Sequence, residues 1–267
     1  VNPSRVAAVV LRQYYLLRGS FARVLPLFAW VAVDMVLWGY MTRYLDSVTG
    51  ARVGFVATLL GSVLLWDFFT RVMNGVSIAF FEDLWSRNFL NVFASPLTIP
   101  EYLTGLVLTS VATSAVGLAA MIVLAAGVFG LSFAAYGAAL LPYLLILFVF
   151  GVALGILATA LVLRLGPAAE WFVWPIPALV APFAGVFYPV ATLPLWMRAV
   201  ARAVPPSYVF EAIRAVAAGG SASGAGLARG AALAAAYVAL SCWVFAATYR
   251  RCVRTGMLAR YSAESVG

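Results

Sequence analysis

Six long apolar runs decide most of what this chain can fold into. They lie at residues 24–44, 53–81, 102–129, 136–163, 171–190 and 228–249. A helix needs about 20 mostly apolar residues to cross the hydrocarbon of a bilayer, and each run reaches that length. The runs are continuous rather than alternating, which argues against the short two-sided strands of a membrane β-barrel. Of the 267 residues, 65% are hydrophobic and 10% charged, against about 45–50% and 25% in a soluble domain. A soluble core of this size has no room for so much apolar surface. The expected fold is an all-α membrane protein with six transmembrane helices. The second run is long enough to tilt. The fifth carries Pro175, Pro177 and Pro182, so it is expected kinked or broken.

The chain has no His, and all 17 basic residues are Arg. A phosphate-binding Walker lysine, a Schiff base and a His-based triad or metal site are therefore excluded. Arg stays protonated and is a poor proton-transfer group. No nucleophile has a His or Lys base, so the chain is not expected to be an enzyme, and no catalytic, metal or cofactor-binding residue is assigned. The net charge of +8 fits arginines held at a cytoplasmic membrane face better than nucleic-acid binding. Placing both termini in the cytoplasm puts ten arginines on that side and six on the other, with Arg71 inside the second span. That bias favours both termini inside.

No cleavable signal peptide is expected, because the first apolar run starts late and exceeds a signal peptide's apolar core. Residues 3–22 instead form an amphipathic pattern. At 100° per residue, Val6, Val10, Tyr14, Leu17 and Phe21 share one stripe, and Arg5, Arg12 and Arg23 share another face. Such a helix is expected to lie along the headgroups with its arginines in them. Cys242 and Cys252 stand ten residues apart. On one straight helix that is about 15 Å, too far for a disulfide.

The most informative loop runs from Phe81 to Gly105. Trp85, Phe89, Val92 and Phe93 recur on one helical face, while Arg87 and Asn91 point the other way. Ser95-Pro96 ends this short helix. Thr98 and Glu101 then stand in capping-box spacing, with Pro100 in the first turn of the next helix. A second unusual stretch, 182–220, is apolar but broken by Pro189, Pro194, Pro205 and Pro206. Irregular backbone at membrane depth must be buried in protein or line a wet cavity, so short helices at, or dipping into, the outer face are expected.

Intramembrane charges are costly and often functional. Asp34 falls mid-span in the first run, and Asp67 and Arg71 are four apart in the second, the favourable helical order. They form either a polar lining on a transport path or a proton relay, or else a structural clasp. Gly151 and Gly155 match a small-xxx-small packing pattern.

Nearly the whole chain resembles the membrane subunit of a type 2 ABC exporter, the ABC-2 permease family. Three features carry the resemblance: the six-run layout behind an amphipathic N-terminal helix; the short helix with Ser95-Pro96-Leu97 and Glu101; and the outer motif Gly185-Val186-Phe187-Tyr188-Pro189, then Leu193-Pro194, Trp196, Pro205, Tyr208, Glu211 and Arg214. Trp85-Ser86-Arg87-Asn88 departs from the more charged, Glu- and Arg-rich run of many members. The resemblance implies an interfacial helix over 1–23, a six-helix transmembrane domain over 24–249 and a cytoplasmic tail over 250–267. It implies a coupling helix that contacts an ATPase through Leu84, Trp85, Arg87, Phe89, Asn91, Phe93, Ser95, Pro96, Leu97 and Glu101. It implies re-entrant external helices forming an outer gate with Gly185, Phe187, Pro189, Pro194, Trp196, Pro205, Tyr208, Glu211 and Arg214. Two permease subunits, alike or different, would pair in a bacterial plasma membrane, each with a separate ABC ATPase that binds ATP and Mg. Cargo in the family is a drug, lipid, glycolipid or polysaccharide. The competing readings are a secondary transporter or scaffold without an ATPase, and a lipid-transferring membrane enzyme built on Asp34, Asp67 and Arg71.

Overall fold

The computed structural model describes residues 1–49, 53–86, 89–130, 137 and 139–256. These form ten α-helices and no strand: α1 (Pro3–Arg18), α2 (Phe21–Thr49), α3 (Val53–Trp85), α4 (Phe89–Ala94), α5 (Ile99–Phe129), α6 (Leu140–Leu165), α7 (Ile176–Ala184), α8 (Leu195–Ala201), α9 (Pro205–Ala217) and α10 (Gly224–Arg254). Two short 3₁₀ segments, Pro167–Phe172 and Val190–Thr192, join them. Helices α2, α3, α5, α6 and α10 are long and apolar enough to cross a membrane.

Among the described residues the count of membrane-length helices is therefore five, where six runs were expected. The run at 171–190 holds α7, whose nine residues rise about 14 Å, well short of a hydrocarbon core of about 30 Å. The prolines are the physical cause. Pro175 stands immediately before α7, Pro182 lies inside it, and Gly185 closes it in the left-handed region at φ 73°. The start expected at Tyr136 lies outside the described residues; α6 begins at Leu140.

Helices α3 and α6 form the centre and are mostly buried, while α2, α5 and α10 present most of their surface outward. Phe69 of α3 stacks on Phe150 of α6 with ring centroids 5.5 Å apart. Phe80 is fully buried among Phe81, Tyr102 and Phe245. The Gly151/Gly155 pattern brings α6 against the backbone of α3. A Cβ on Gly151 would lie 3.0 Å from the Phe69 carbonyl oxygen, and one on Gly155 would lie 2.8 Å from that of Met73. Across the other side of α3, Ser110 Oγ donates to the Val72 carbonyl at 2.8 Å. Both cysteines are free thiols, and Cys252 Sγ donates to the Leu163 carbonyl, tying the end of α10 to the end of α6.

Helix α1 lies against α5. Its buried residues are Val6, Val9 and Gln13, while Tyr14 and Phe21 of the expected apolar stripe are exposed. At 100° per residue the centre of the buried face is turned by about 65° from the centre of that stripe, and Val6 belongs to both. Arg5, Arg12 and Arg23 each pair with a carboxylate and stay partly exposed.

Candidate functional site

At one end of the bundle, three ion pairs tie α1 and the start of α2 to α3 and α5. Arg5 Nη1 lies 3.4 Å from Glu101 Oε2, and Arg23 Nε lies 3.0 Å from Glu82 Oε1. Arg12 pairs with Asp83, whose other oxygen accepts from the Tyr102 hydroxyl at 2.7 Å. Asp83 and Tyr102 are both fully buried. Gln13 Nε2 donates to the Ala79 carbonyl at 3.1 Å. Close packing reinforces the polar contacts, since a Cβ on Gly105 would lie 2.5 Å from Val9 Cγ1. Glu101 serves both structures at once. It accepts from its own capping position, Thr98 N, at 2.9 Å, and from Asn2 N at 2.8 Å. The N-terminal start of α1 and the N-terminal start of α5 thus share one carboxylate.

Between α1, α4 and the start of α5 lies a groove of about 340 Å³, lined by Arg5, Arg12, Asn91, Val92, Leu97 and Tyr102 among others. Helix α4 spans only Phe89–Ala94. Leu84 and Trp85 belong to the last turn of α3 instead. Leu84 is buried there, and Trp85 Nε1 donates to Glu170 Oε2 at 2.8 Å. Asn91, Ser95 and Pro96 are exposed, and Leu97 is half-buried. Arg87 lies outside the described residues, and so do the side chains of Phe89 and Phe93.

Around α7 and α9, Gly185, Val190, Glu211 and Arg214 form one hydrogen-bonded unit. Glu211 Oε1 accepts from Val190 N at 2.8 Å and from Arg214 Nη2 at 3.0 Å. Arg214 Nη2 also donates to the Gly185 carbonyl. The turn needs glycine twice over: φ is positive, and a Cβ at Gly185 would sit 3.0 Å from both Arg214 Nη2 and Val190 Cγ2. Phe187 stacks on Trp38 of α2 with centroids 5.4 Å apart. Pro189 precedes the Val190–Thr192 turn, Pro194 precedes α8, and Pro205 opens α9. Trp196 is exposed. The Tyr208 hydroxyl donates to the Arg202 carbonyl at 2.8 Å, and the ring packs on Gly230 of α10.

The intramembrane charges meet as well. Arg71 Nε donates to Asp67 Oδ2 at 2.6 Å, and Asp34 of α2 lies near enough for both charges to act on it. Among the described residues, no group of three His, Cys, Asp or Glu side chains is placed to hold a metal ion.

The sequence reading missed the carboxylate partners of α1. Glu82, Asp83 and Tyr102 were passed over, although the Arg5–Arg12–Arg23 face was visible. The available signal was two adjacent acids, Glu82 and Asp83, at the end of an apolar run, where an isolated acid needs a partner.

The model of the ABC-2 type transporter family matches residues 8–217 of the chain. No curated protein matches the sequence.

Proposed function

The chain belongs to the ABC-2 type transporter family, and on that premise we propose that it is the membrane-spanning subunit of an ATP-driven exporter. It is a multi-pass membrane component of a transport system. In this reading two such subunits pair in a bacterial plasma membrane with both termini in the cytoplasm, and each carries a separate ATPase chain that binds ATP and Mg. The cargo is a drug, lipid, glycolipid or polysaccharide, and the apolar spans favour an amphipathic one.

The observation that carries the reading is the position of α4. This short helix, followed by Ser95-Pro96-Leu97, hangs between the ends of two membrane-length helices, α3 and α5. A soluble partner pushing on α4 moves both. The α1 arginines bind carboxylates on α3 and α5 alike, so the push reaches a braced unit rather than two loose helix ends. ATP binding closes the ATPase pair, α4 follows, and α3 and α5 tilt. At the far end, α7–α9 act as the outer gate. The Glu211–Arg214–Gly185 contacts hold the Gly185 turn to α9, so that the two move together.

Phe89→Asp tests this role. An added charge at Phe89, which the sequence spacing puts on an aromatic face, removes apolar docking area, at a cost of about 2 kcal/mol. In vesicles holding the chain and its ATPase, export is expected to fall at least about tenfold while ATP hydrolysis continues. Export at the unaltered rate would contradict the docking role.

A further inference from the structure

Helices α6 and α10 run side by side in the same direction and end together. Phe150 of α6 meets Tyr237 of α10 with ring centroids 5.2 Å apart. Further along, Cys252 Sγ reaches the Leu163 carbonyl at 3.2 Å. Arg164 stands fourteen residues beyond Phe150, and Arg251 stands fourteen beyond Tyr237. At 100° per residue, fourteen residues come within about 40° of a whole number of turns and rise about 21 Å. The two arginines therefore arrive at one level beside the same seam. Both are exposed. Arg254, also exposed, follows Arg251 by three residues, which makes it a neighbour on the helix surface.

Among the described residues, Arg164, Arg251 and Arg254 form no ion pair. Arg5, Arg12 and Arg23, at the same end of the bundle, are each matched by a carboxylate. The carbonyl ends of two helices favour cations at this position, yet unmatched guanidinium groups leave the seam positive. The surroundings set its depth. The Pro167–Phe172 segment follows α6 directly, and its Glu170 accepts from Trp85 in the last turn of α3. Helices α3, α6 and α10 thus finish at one level, where apolar helix gives way to lipid headgroups. Trp171 on that segment and Trp174 just after it are exposed, and tryptophan rings concentrate at the headgroup level.

We infer that Arg164, Arg251 and Arg254, at the joined ends of α6 and α10, hold the phosphate of an anionic phospholipid in the leaflet on the side of α4. Guanidinium groups bind phosphate oxygens two at a time, so one headgroup bridges arginines from both helices. Trp171 and Trp174 border the headgroup, and the acyl chains run along the exposed end of α6 at Leu165. Clustered arginines just outside a membrane helix are drawn to anionic lipid. The inference needs only that the long helices cross the membrane; it does not depend on an ATPase.

The test uses the purified full chain in detergent, without any ATPase, given equal amounts of phosphatidylglycerol and phosphatidylcholine with the same acyl chains. Native mass spectrometry counts the lipid retained. The anionic lipid is expected to be retained at least about tenfold over the zwitterionic one. Arg164→Gln with Arg251→Gln is expected to remove most of that preference, and Arg251→Lys to keep most of it. Arg229→Gln, which removes an exposed arginine near the opposite end of α10, is expected to leave it unchanged. In the unaltered chain, phosphatidylglycerol with a photoreactive headgroup is expected to label residues 164–174 and 250–254, and inorganic phosphate is not expected to compete; this arm stands even where a variant misfolds. Equal retention of the two lipids, an unchanged preference in the double variant, an equal drop in Arg229→Gln, labelling confined to other residues, or competition by inorganic phosphate would overturn the site.

Discussion

Asp83→Ala is expected to detach α1 from the bundle and to give the largest loss of stability among single changes at the clasp. Asp83 is fully buried and holds two donors, Arg12 and the Tyr102 hydroxyl. Truncation leaves a buried phenol and a half-buried guanidinium without their acceptor. Breaking one side of a buried charge pair costs about 3 kcal/mol or more. The loss concentrates on α1, because the Asp83 contact stands between the Arg5–Glu101 pair and the Arg23–Glu82 pair. Limited trypsin digestion reads it directly, since in a chain without Lys trypsin cuts only after Arg. Early cleavage after Arg12 is expected in Asp83→Ala and not in the unaltered chain. Asp83→Asn keeps an acceptor for Tyr102 and is expected to fall between the two. Removing both partners, in Arg12→Ala with Asp83→Ala, is expected to recover part of the loss, because no charge is then left stranded. Equal digestion of all the variants would show that α1 is held by its Val6 and Val9 packing alone.

Gly155→Leu is expected to be nearly as damaging, by the opposite mechanism. A Cβ at Gly155 already falls 2.7 Å from Val76 Cβ and 2.8 Å from the Met73 carbonyl oxygen. Neither atom is the end of a flexible chain. The remaining leucine carbons have to push α6 away from α3, the two most buried helices of the bundle. Overpacking of this kind costs about 1–3 kcal/mol, more where backbone blocks the way. The measurement is thermal unfolding in a mild detergent, with the folded yield from size exclusion. Gly127→Leu is the control, since a Cβ there meets nothing within 4 Å. A Gly155→Leu protein as stable as the Gly127→Leu protein would contradict the close α3–α6 approach.

The contrast between these two sites shows what is readable from sequence and what is not. Gly151 and Gly155 announce a close contact by spacing alone, although the partner backbone at Phe69 and Met73 is revealed only by the fold. Long apolar helices are equally legible, because length and hydropathy are local. The run at 171–190 differs because Pro175, Pro182 and the left-handed Gly185 cut it into pieces, so that apolar length no longer means helix length. The Asp67–Arg71 pair is local, four residues apart, and legible; the arrival of Asp34 on it from another helix is not. The partners of the arginines were hidden for a related reason: Glu82, Asp83 and Glu101 lie 59 or more residues away in sequence from the arginines they bind. Of the apolar stripe, Val6 is buried against the bundle while Tyr14 and Phe21 face outward. The outer motif is intermediate. Its residues were visible by resemblance, but the reason for Gly185 was not: it has to admit Arg214 while Glu211 holds Val190.

The central claim is that this chain works as the membrane partner of a separate ATPase. The most direct measurement is recovery of the tagged chain from its native membrane in a mild detergent, with identification and quantification of the proteins that come with it. The account predicts an ATPase with a Walker A sequence in equal amount with this chain, lost when α4 carries Phe89→Asp. Recovery of the chain reproducibly alone, with transport that persists without ATP and stops when the proton gradient is dissipated, would contradict it and turn the chain into a secondary transporter.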